Sequence, residues 1–440
     1  MADIIIDGTI GANRLLILDS TGKIPAVDGS LVTAIAAGNI ATGTIPIARI
    51  DTGSTANKIV VLDGSGRLPA VSGALITNVP GATKSASDPV ITTNPSGGVG
   101  TEWHNTTSGE VYICTDATTG VNVWTNVGDG TGDIFPWAFQ GTTYGYTMGG
   151  ATPGVPNSNN DIERFSFTSD GNSSDVADLA VHVRYNHSAC NTGTAGYCLG
   201  GHQIPSSPYA AGAKTAIKKF IFATEANATD VGDVTIAGES VGGASSSTHG
   251  YSVGGSTSGT GGQPYVDTIE KFSYAAEGTM IDVGNLIAPA SMHGCGMNSA
   301  THGYGAGGGT AAGWGYNVIQ RWSFSSDGNA TDVADLTQAR GFLTTSSSTT
   351  YGYAAGGNPA PNNTIDKHQF NTSNNSTDVG DIIDGAWGGG DNSSTTYGYC
   401  TGGGPPYHNR IQKYSFSSDG NSIDVGNLLS IRYGLAGVQQ

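Results

Sequence analysis

The sequence has little charge, and few of its charged residues are basic. Only 12% of the 440 residues are Asp, Glu, Lys or Arg, and 18 basic against 35 acidic residues give a formal net charge of −17. Binding a nucleic-acid backbone needs clustered Lys and Arg, so we expect no nucleic-acid partner. No segment approaches the roughly 20 apolar residues of a membrane helix, and residues 1–10 lack the pattern of a secretory signal. We therefore expect no membrane insertion.

Groups for metal binding and catalysis are also scarce. The five cysteines are scattered, without the spacing of metal ligands or the density of a disulfide scaffold. We expect them to be small packing residues, and only Cys190 and Cys198 could face each other across a hairpin. The nine histidines have no ligand spacing, and no Ser-His-Asp or Gly-x-Ser-x-Gly pattern occurs. The prediction is therefore no metal, no cofactor and no catalytic residue.

What the sequence does contain favours an all-β fold. There are 69 glycines, and Ser, Thr and Asn are abundant. Gly, Asn and β-branched residues disfavour helix interiors. A surface solvated by hydroxyl and amide groups suits short strands joined by many turns.

One unit of about 50 residues occurs six times between residues 141 and 440. Each copy has a Gly-Tyr-x-x-Gly-Gly segment, then an Ile-containing aromatic segment, then Asp-Val-Gly/Ala. The Ile and the Asp are 13 residues apart in all six copies, so almost all length variation lies in the loop before the Ile. The tyrosines of the six copies are Tyr146, Tyr197, Tyr251, Tyr304, Tyr353 and Tyr399.

Each unit predicts four short strands separated by turns. Four-stranded units of this length, arranged radially, make a β-propeller. Residues 431–438 align with the first strand of each unit, so the C-terminal strand is predicted to close a six-bladed ring. The paired glycines resemble those of Kelch repeats, and this resemblance covers residues 141–440 and implies architecture only. The repeated Asp, such as Asp175, favours a turn or strand-capping role over a metal site.

The N-terminal part contains a second repeat, in which residues 13–35 match residues 57–79 with an offset of 44. Its strands are too sparse to bury a core within one chain, which predicts an oligomeric β stalk over residues 1–80. Residues 81–130 are interpreted as a linker and a small β-hairpin module, and residues 131–440 as the propeller. The repeated Leu-Asp-x-x-Gly-Lys/Arg-x-Pro-Ala segments resemble bacteriophage tail-fibre shafts, as the Trp- and Tyr-bearing module at 101–127 resembles phage-fibre modules. The resemblance implies a homotrimer that attaches to other tail or baseplate proteins through its N-terminus.

The variable loops are the candidate site. In a propeller these loops and the links between blades emerge on one face, and exposed aromatics on a rigid scaffold are a usual means of binding. The links carry Arg184, Tyr185, Met292, His293, Arg340, Trp387, Arg432 and Tyr433. The alternative is that the rings merely pack over the blade tops. The candidate ligand-binding residues are Tyr209, Tyr265, Trp314, Tyr316, Trp387, Tyr407 and His408.

Together these patterns predict a virion tail fibre or spike protein, not an enzyme, that binds a host-surface polysaccharide or receptor. One alternative is a non-adhesive structural or head-decorating fibre. Another is a depolymerase, which needs paired carboxylates at a groove; the variable loops contain few Asp or Glu.

Overall fold

The described part of the chain consists of β-strands, turns and loops, with no helix. The chain divides into two compact units, Met1–Thr83 and Lys84–Gln440. The all-β prediction is confirmed for the described residues, whereas the domain boundaries at 80 and 130 stay predictions. The predicted stalk, residues 1–80, lies outside the described residues except for Ser20. The computed structural model describes Ser20 and residues 82–127, 138–154, 159–183, 188–203, 212–213, 215–257, 264–290, 296–309, 313, 316–359, 362–385 and 387–440.

A small four-stranded sheet precedes the repeats. Tyr112, Cys114 and Trp124 are fully buried in its core, and Trp103 meets Trp124 edge to face with ring centroids 5.8 Å apart. The sheet is larger than the predicted hairpin because the segment interpreted as a linker adds a strand. In sheet order the strands are β1 (Thr83–Ser85), β2 (Glu102–Asn105), β3 (Val111–Asp116) and β4 (Val123–Asn126).

The six repeat copies give six four-stranded antiparallel sheets, which we number 1 to 6 in chain order. Sheet 1 takes its fourth strand from the end of the chain. Sheet 1 contains β5 (Tyr144–Met148), β6 (Asn159–Ser166) and β7 (Ser174–Val183); sheet 2 contains β8 (Ala189–Asn191), β9 (Ala195–Leu199), β12 (Ala216–Ile221) and β13 (Thr229–Asp233), with the ribbon β10 (His202–Gln203) and β11 (Gly212–Ala213) between β9 and β12. Sheet 3 contains β14 (Gly242–Ser245), β15 (His249–Val253), β16 (Thr268–Ser273) and β17 (Ile281–Asn285); sheet 4 contains β18 (Gly296–Asn298), β19 (His302–Ala306), β20 (Val318–Ser323) and β21 (Thr331–Asp335). Sheet 5 contains β22 (Thr344–Ser347), β23 (Tyr351–Ala355), β24 (Thr364–Gln369) and β25 (Thr377–Asp381); sheet 6 contains β26 (Gly390–Ser393), β27 (Tyr397–Thr401), β28 (Arg410–Ser415) and β29 (Ile423–Asn427).

The last strand of the chain, β30 (Ala436–Gln439), completes sheet 1. It pairs antiparallel with β5, with Ala436 opposite Met148 and Val438 opposite Tyr146. It therefore occupies the position that β8, β14, β18, β22 and β26 hold in the other sheets, as the alignment of residues 431–438 predicts.

We call the six strands at this edge of the sheets, β30, β8, β14, β18, β22 and β26, the first strands. Hydrogen bonds join them at one equivalent position. The donors and acceptors are buried backbone amides and side chains, and buried polar groups need such partners. The bonds run in order along the sheets, and the last returns to the strand where the first began. They are Asn191 N to Ser245 Oγ (3.0 Å), Ser245 N to Asn298 Oδ1 (2.7 Å), Asn298 N to Ser347 Oγ (2.9 Å), Ser347 N to Ser393 Oγ (2.9 Å), Ser393 N to Gln439 Oε1 (3.3 Å) and Gln439 Nε2 to Asn191 Oδ1 (3.1 Å).

The repeated tyrosine carries the hydrophobic contact between neighbouring sheets. All six tyrosines are buried, and each ring packs on aromatic side chains of the next sheet. Tyr399 of sheet 6 packs on Phe165 and Phe167 of sheet 1, with centroids 5.4 and 4.9 Å away. The other pairs are Tyr146 with Phe220 and Phe222, Tyr197 with Phe272 and Tyr274, Tyr251 with Phe324, Tyr304 with His368 and Phe370, and Tyr353 with Tyr414 and Phe416.

Candidate ligand-binding site

The variable loops and the links between sheets meet at one end of the sheets. Four backbone bridges join a link residue to the start of a variable loop: Glu239 to Ser256, Gly341 to Asn358, Trp387 to Gly404, and Tyr433 to Ala151. We call this the variable end.

Four aromatic side chains form one contact cluster at the variable end, and we call Phe342, Trp387, Tyr433 and Tyr407 the aromatic platform. The ring centroids of Phe342 and Trp387 are 5.1 Å apart, those of Trp387 and Tyr433 5.5 Å, and those of Tyr433 and Tyr407 5.1 Å. Tyr407 is 41% exposed and the other three are partly exposed. The platform runs across the links that lead into sheets 5, 6 and 1, so it is assembled from segments far apart in sequence.

Phe342 has an unusual backbone for a bulky residue. Its φ is +56°, in the left-handed region, where a non-glycine residue typically costs about 1–3 kcal/mol. The equivalent link positions hold Ser240, Gly388 and Gly434, also at positive φ. The fold therefore sets this conformation in several links, and one of them places a large ring where small residues stand elsewhere.

A polar group lies beside the platform in the loop of sheet 6. Arg410 forms ion pairs with Asp384 and with Asp424, the latter at 3.3 Å. His408 is buried, its Nδ1 accepts the Arg410 backbone N–H at 3.3 Å, and its Nε2 has no hydrogen-bond partner. Burial lowers the pKa of His408, against the opposing effect of the Asp384 carboxylate. The ring is therefore neutral at pH 7, since its ordinary pKa is already about 6.5.

The structure brings three of the seven candidate residues together: Trp387, Tyr407 and His408. Tyr265 and Tyr316 lie in the variable loops of sheets 3 and 4, where both are partly exposed. Tyr209 and Trp314 lie outside the described residues. The site residues of this face thus stay a prediction, and the platform is the part with observed geometry.

Two platform residues, Phe342 and Tyr433, were not among the candidates. Tyr433 stands in a link whose sequence interpretation placed it on this face. The sequence signal for Phe342 is a phenylalanine at a position where the links into sheets 6 and 1 have glycine.

Two arginines that the sequence places on the same face are instead fully buried. Arg340 pairs with Asp366 at 2.8 Å, and Arg432 pairs with Glu163, with all four side chains 0% exposed. Each arginine lies in a link and each carboxylate follows the repeated Ile of the next sheet, so these pairs hold neighbouring sheets together. A buried charge without its partner would be costly, which gives them a structural role.

The chain enters the repeats at the opposite end of the sheets. Gln140 Nε2 donates to the Ser347 carbonyl at 2.7 Å, and Gln439 Nε2 donates to the Phe139 carbonyl at 3.0 Å. Both contacts lie where the first strand turns into the second. Asp116 and Val121 of the small sheet line one cleft with the hairpin turns around Ser299 and Ser348. The N-terminal sheet therefore stands against this end, away from the variable loops.

Repeated aspartate side chains accept backbone hydrogen bonds within their own strands. Asp230, Asp282, Asp378 and Asp424 each accept the N–H of the glycine two residues later, at 3.1–3.2 Å, beside a β-bulge in each sheet. In the described ranges, no three His, Cys, Asp or Glu side chains converge as metal ligands.

The cysteine pair considered from the sequence does not form. Cys190 lies opposite Tyr197, and Cys198 lies opposite Ala189, so the two thiols are offset in register. Neither forms a disulfide, and both are buried.

Comparison with known proteins gives no relative. No protein-family model matches the sequence, and no curated protein is significantly similar to it. Within the described residues, no helix is long and apolar enough to cross a membrane.

Proposed function

We propose that this protein is a phage tail fibre or spike protein that binds the host cell surface through the variable end. One observation carries the proposal: the chain enters at the end with uniform hairpin turns, while the aromatic platform lies at the opposite end. A protein that is attached at one end and has variable loops at the other can present those loops to a ligand.

The proposal includes the finer architecture, in which the six sheets are the blades of one Kelch-like β-propeller. The returning order of the six hydrogen bonds supports closure, as do the packing of Tyr399 on sheet 1 and the position of β30. A closed ring also leaves no unprotected first strand, which removes a site of edge-to-edge aggregation.

Residues 1–80 would form the trimeric stalk that attaches the protein to other tail or baseplate proteins. Support comes from the repeat at an offset of 44 residues and its resemblance to fibre shafts. Three binding sites on one stalk act by effective concentration, so each site needs only modest affinity. The proposed function is adhesion in the virion, without catalysis and without a cofactor.

The test has three measurements. Light scattering should give three times the 44.5 kDa mass of one chain. Antibodies against residues 138–440 should label the free tips of tail appendages in electron micrographs of intact virions, and labelled protein should bind whole cells of the strain that the virus infects. Label on the capsid or inside the tail, with no binding to cells, would contradict adhesion and favour a structural fibre.

A further inference from the structure

We infer that the aromatic platform is a subsite for an uncharged stretch of polysaccharide, and that Phe342 is kept at its strained position for binding rather than for folding. The inference rests on the proposed function and names the residues and ligand class of that site. It starts from Phe342, because its backbone has the positive φ that glycine adopts at two equivalent link positions.

The backbone at Phe342 argues against a purely structural role. Two equivalent links have glycine at positive φ, and glycine, which has no Cβ, adopts this conformation at lower cost. The ring of Phe342 remains partly exposed and packs on Trp387. A strained residue whose ring extends an exposed aromatic surface points to a function outside the fold.

The shape of the platform suits sugar rings. Consecutive ring centroids lie 5.1–5.5 Å apart over four side chains, which gives an extended row rather than one pocket. Aromatic side chains offer broad apolar contact at low conformational cost, and the Tyr407 hydroxyl adds a polar group at the exposed end of the row. An extended polymer with alternating apolar faces and hydroxyl groups can follow such a row.

The local charges favour a neutral polymer over an anionic one. Residues 138–440 contain 23 acidic and 12 basic residues, a formal net charge of −11. Beside the platform, Arg410 already pairs with both Asp384 and Asp424, so it is not available for a sugar carboxylate, and the trio carries a formal charge of −1. Uronic or sialic acids would meet repulsion here, whereas hexoses and N-acetylhexosamines would not.

The experiment uses the full chain on an array of purified bacterial capsular and lipopolysaccharide glycans, with neutral and anionic polymers of matched length. Five proteins are compared: the native chain, Phe342→Gly, Tyr407→Ala, Tyr316→Ala and Tyr397→Ala. Tyr397 is a partly exposed aromatic at the start of β27, away from the variable loops, so its variant is the matched control. Tyr316→Ala tests the variable loop of sheet 4 as an alternative site. Thermal unfolding of all five separates lost binding from lost folding.

We expect the native chain to bind neutral glycans. Phe342→Gly and Tyr407→Ala should weaken that binding about tenfold or more, while Tyr397→Ala should not. Phe342→Gly should keep or raise the melting temperature. Native affinity for Phe342→Gly together with a lower melting temperature would overturn the inference, because Phe342 would then serve the fold.

The outcomes separate the subsite from the proposed function. Binding of glycans or cells that is lost in Tyr316→Ala but kept in both platform variants would overturn the platform and leave adhesion standing. Preference for anionic polymers would overturn the charge argument. Binding to cells with no glycan bound on the array would point to a protein receptor and overturn the subsite, whereas no binding to cells of the infected strain would contradict adhesion itself.

Discussion

His368 occupies a core position that the other five sheets fill with an aromatic residue. The equivalents are Phe165, Phe220, Phe272, Trp322 and Tyr414. His368 is 1% exposed and its ring nitrogens lack hydrogen-bond partners of ordinary geometry. Burial lowers its pKa, and the nearby Asn374 backbone offsets only part of this effect. The folded chain therefore holds this imidazole neutral in an apolar layer beneath Tyr304.

We expect His368→Phe to stabilise the protein, most strongly in acid. Because the folded pKa lies below the unfolded value of about 6.5, the native state takes up fewer protons, so native stability falls as pH drops below that value. Removing an unsatisfied buried polar group typically recovers about 1–3 kcal/mol. Unfolding should be compared at pH 8 and pH 5, with the larger gain at pH 5.

The control for this prediction is Trp322→Phe, at the equivalent buried position in sheet 4, because neither Trp nor Phe titrates. Its effect on stability should be the same at pH 8 and pH 5. If His368→Phe gives the same gain at both pH values, titration of His368 does not contribute to acid sensitivity.

Single residues show where prediction from the sequence stops. Trp387 and Tyr407 were found because aromatic residues in the links and in the variable loops are visible in the repeat alignment. Phe342 was missed, since its significance depends on a backbone angle that sequence alone does not give. Arg340 and Arg432 were misplaced because their partners, Asp366 and Glu163, lie in the following sheet and cannot be assigned until the sheets are stacked.

At the scale of elements, the first strands are in such close contact that one added methyl group would matter. A Cβ on Gly296 in β18 would lie 1.6 Å from the Gly243 carbonyl oxygen in β14, which is backbone and has no side chain to move. We expect Gly296→Ala to destabilise the protein by about 1–3 kcal/mol or more, as overpacking does. Urea unfolding measures this free-energy difference.

Gly193→Ala is the matched control, because a Cβ at Gly193 meets nothing within 4 Å. Its effect should stay within about 0.5 kcal/mol. Equal stability for both variants would mean that the first strands can separate, which would count against tight packing at the centre of the sheets.

Elements were more predictable than sites. Four strands per copy follow from the six-fold repeat, because the alternation in β28 and the turn residues before β29 recur at fixed spacing. The small sheet was underestimated, since β1 is only three residues long and carries no alternation. Its strand character comes from pairing with β2, which is a tertiary contact.

At the scale of the whole molecule, neighbouring sheets cover each other's outer edges. Backbone N–H groups of the fourth strands donate to asparagine side chains in the turn of the following sheet. The last of these contacts joins Asn427 of sheet 6 to Asn172 of sheet 1 at 3.0 Å. The others are Asp178 to Asn227, Asn285 to Asn329, Asp335 to Asn375, and Asp381 to Asn421. If the sheets unfold cooperatively, the stability of the molecule should depend on its weakest junction. We expect this to be the pairing of β30 with β5, which are far apart in sequence.

Deleting residues 436–440 tests this junction directly. The deletion removes the partner of β5, the buried side chain of Val438, and the Gln439 bonds to Ser393 and Asn191. It retains Arg432 with its partner Glu163, so no buried charge is stranded. We expect β5 to become an exposed edge that pairs with other molecules, and size-exclusion chromatography with light scattering should show aggregates.

A synthetic peptide of residues 431–440 supplies the control, because strand addition can restore a missing edge partner. Excess peptide should return the truncated protein to a single oligomeric species, and a scrambled peptide should not. If the truncated protein is monodisperse and melts at the native temperature without any peptide, β30 does not hold the ends of the repeat together. The junction between sheets 6 and 1 would then rest on contacts such as the Tyr399 packing, the Asn427–Asn172 contact and the Lys413–Asp170 ion pair, and the proposed propeller would close without a shared sheet.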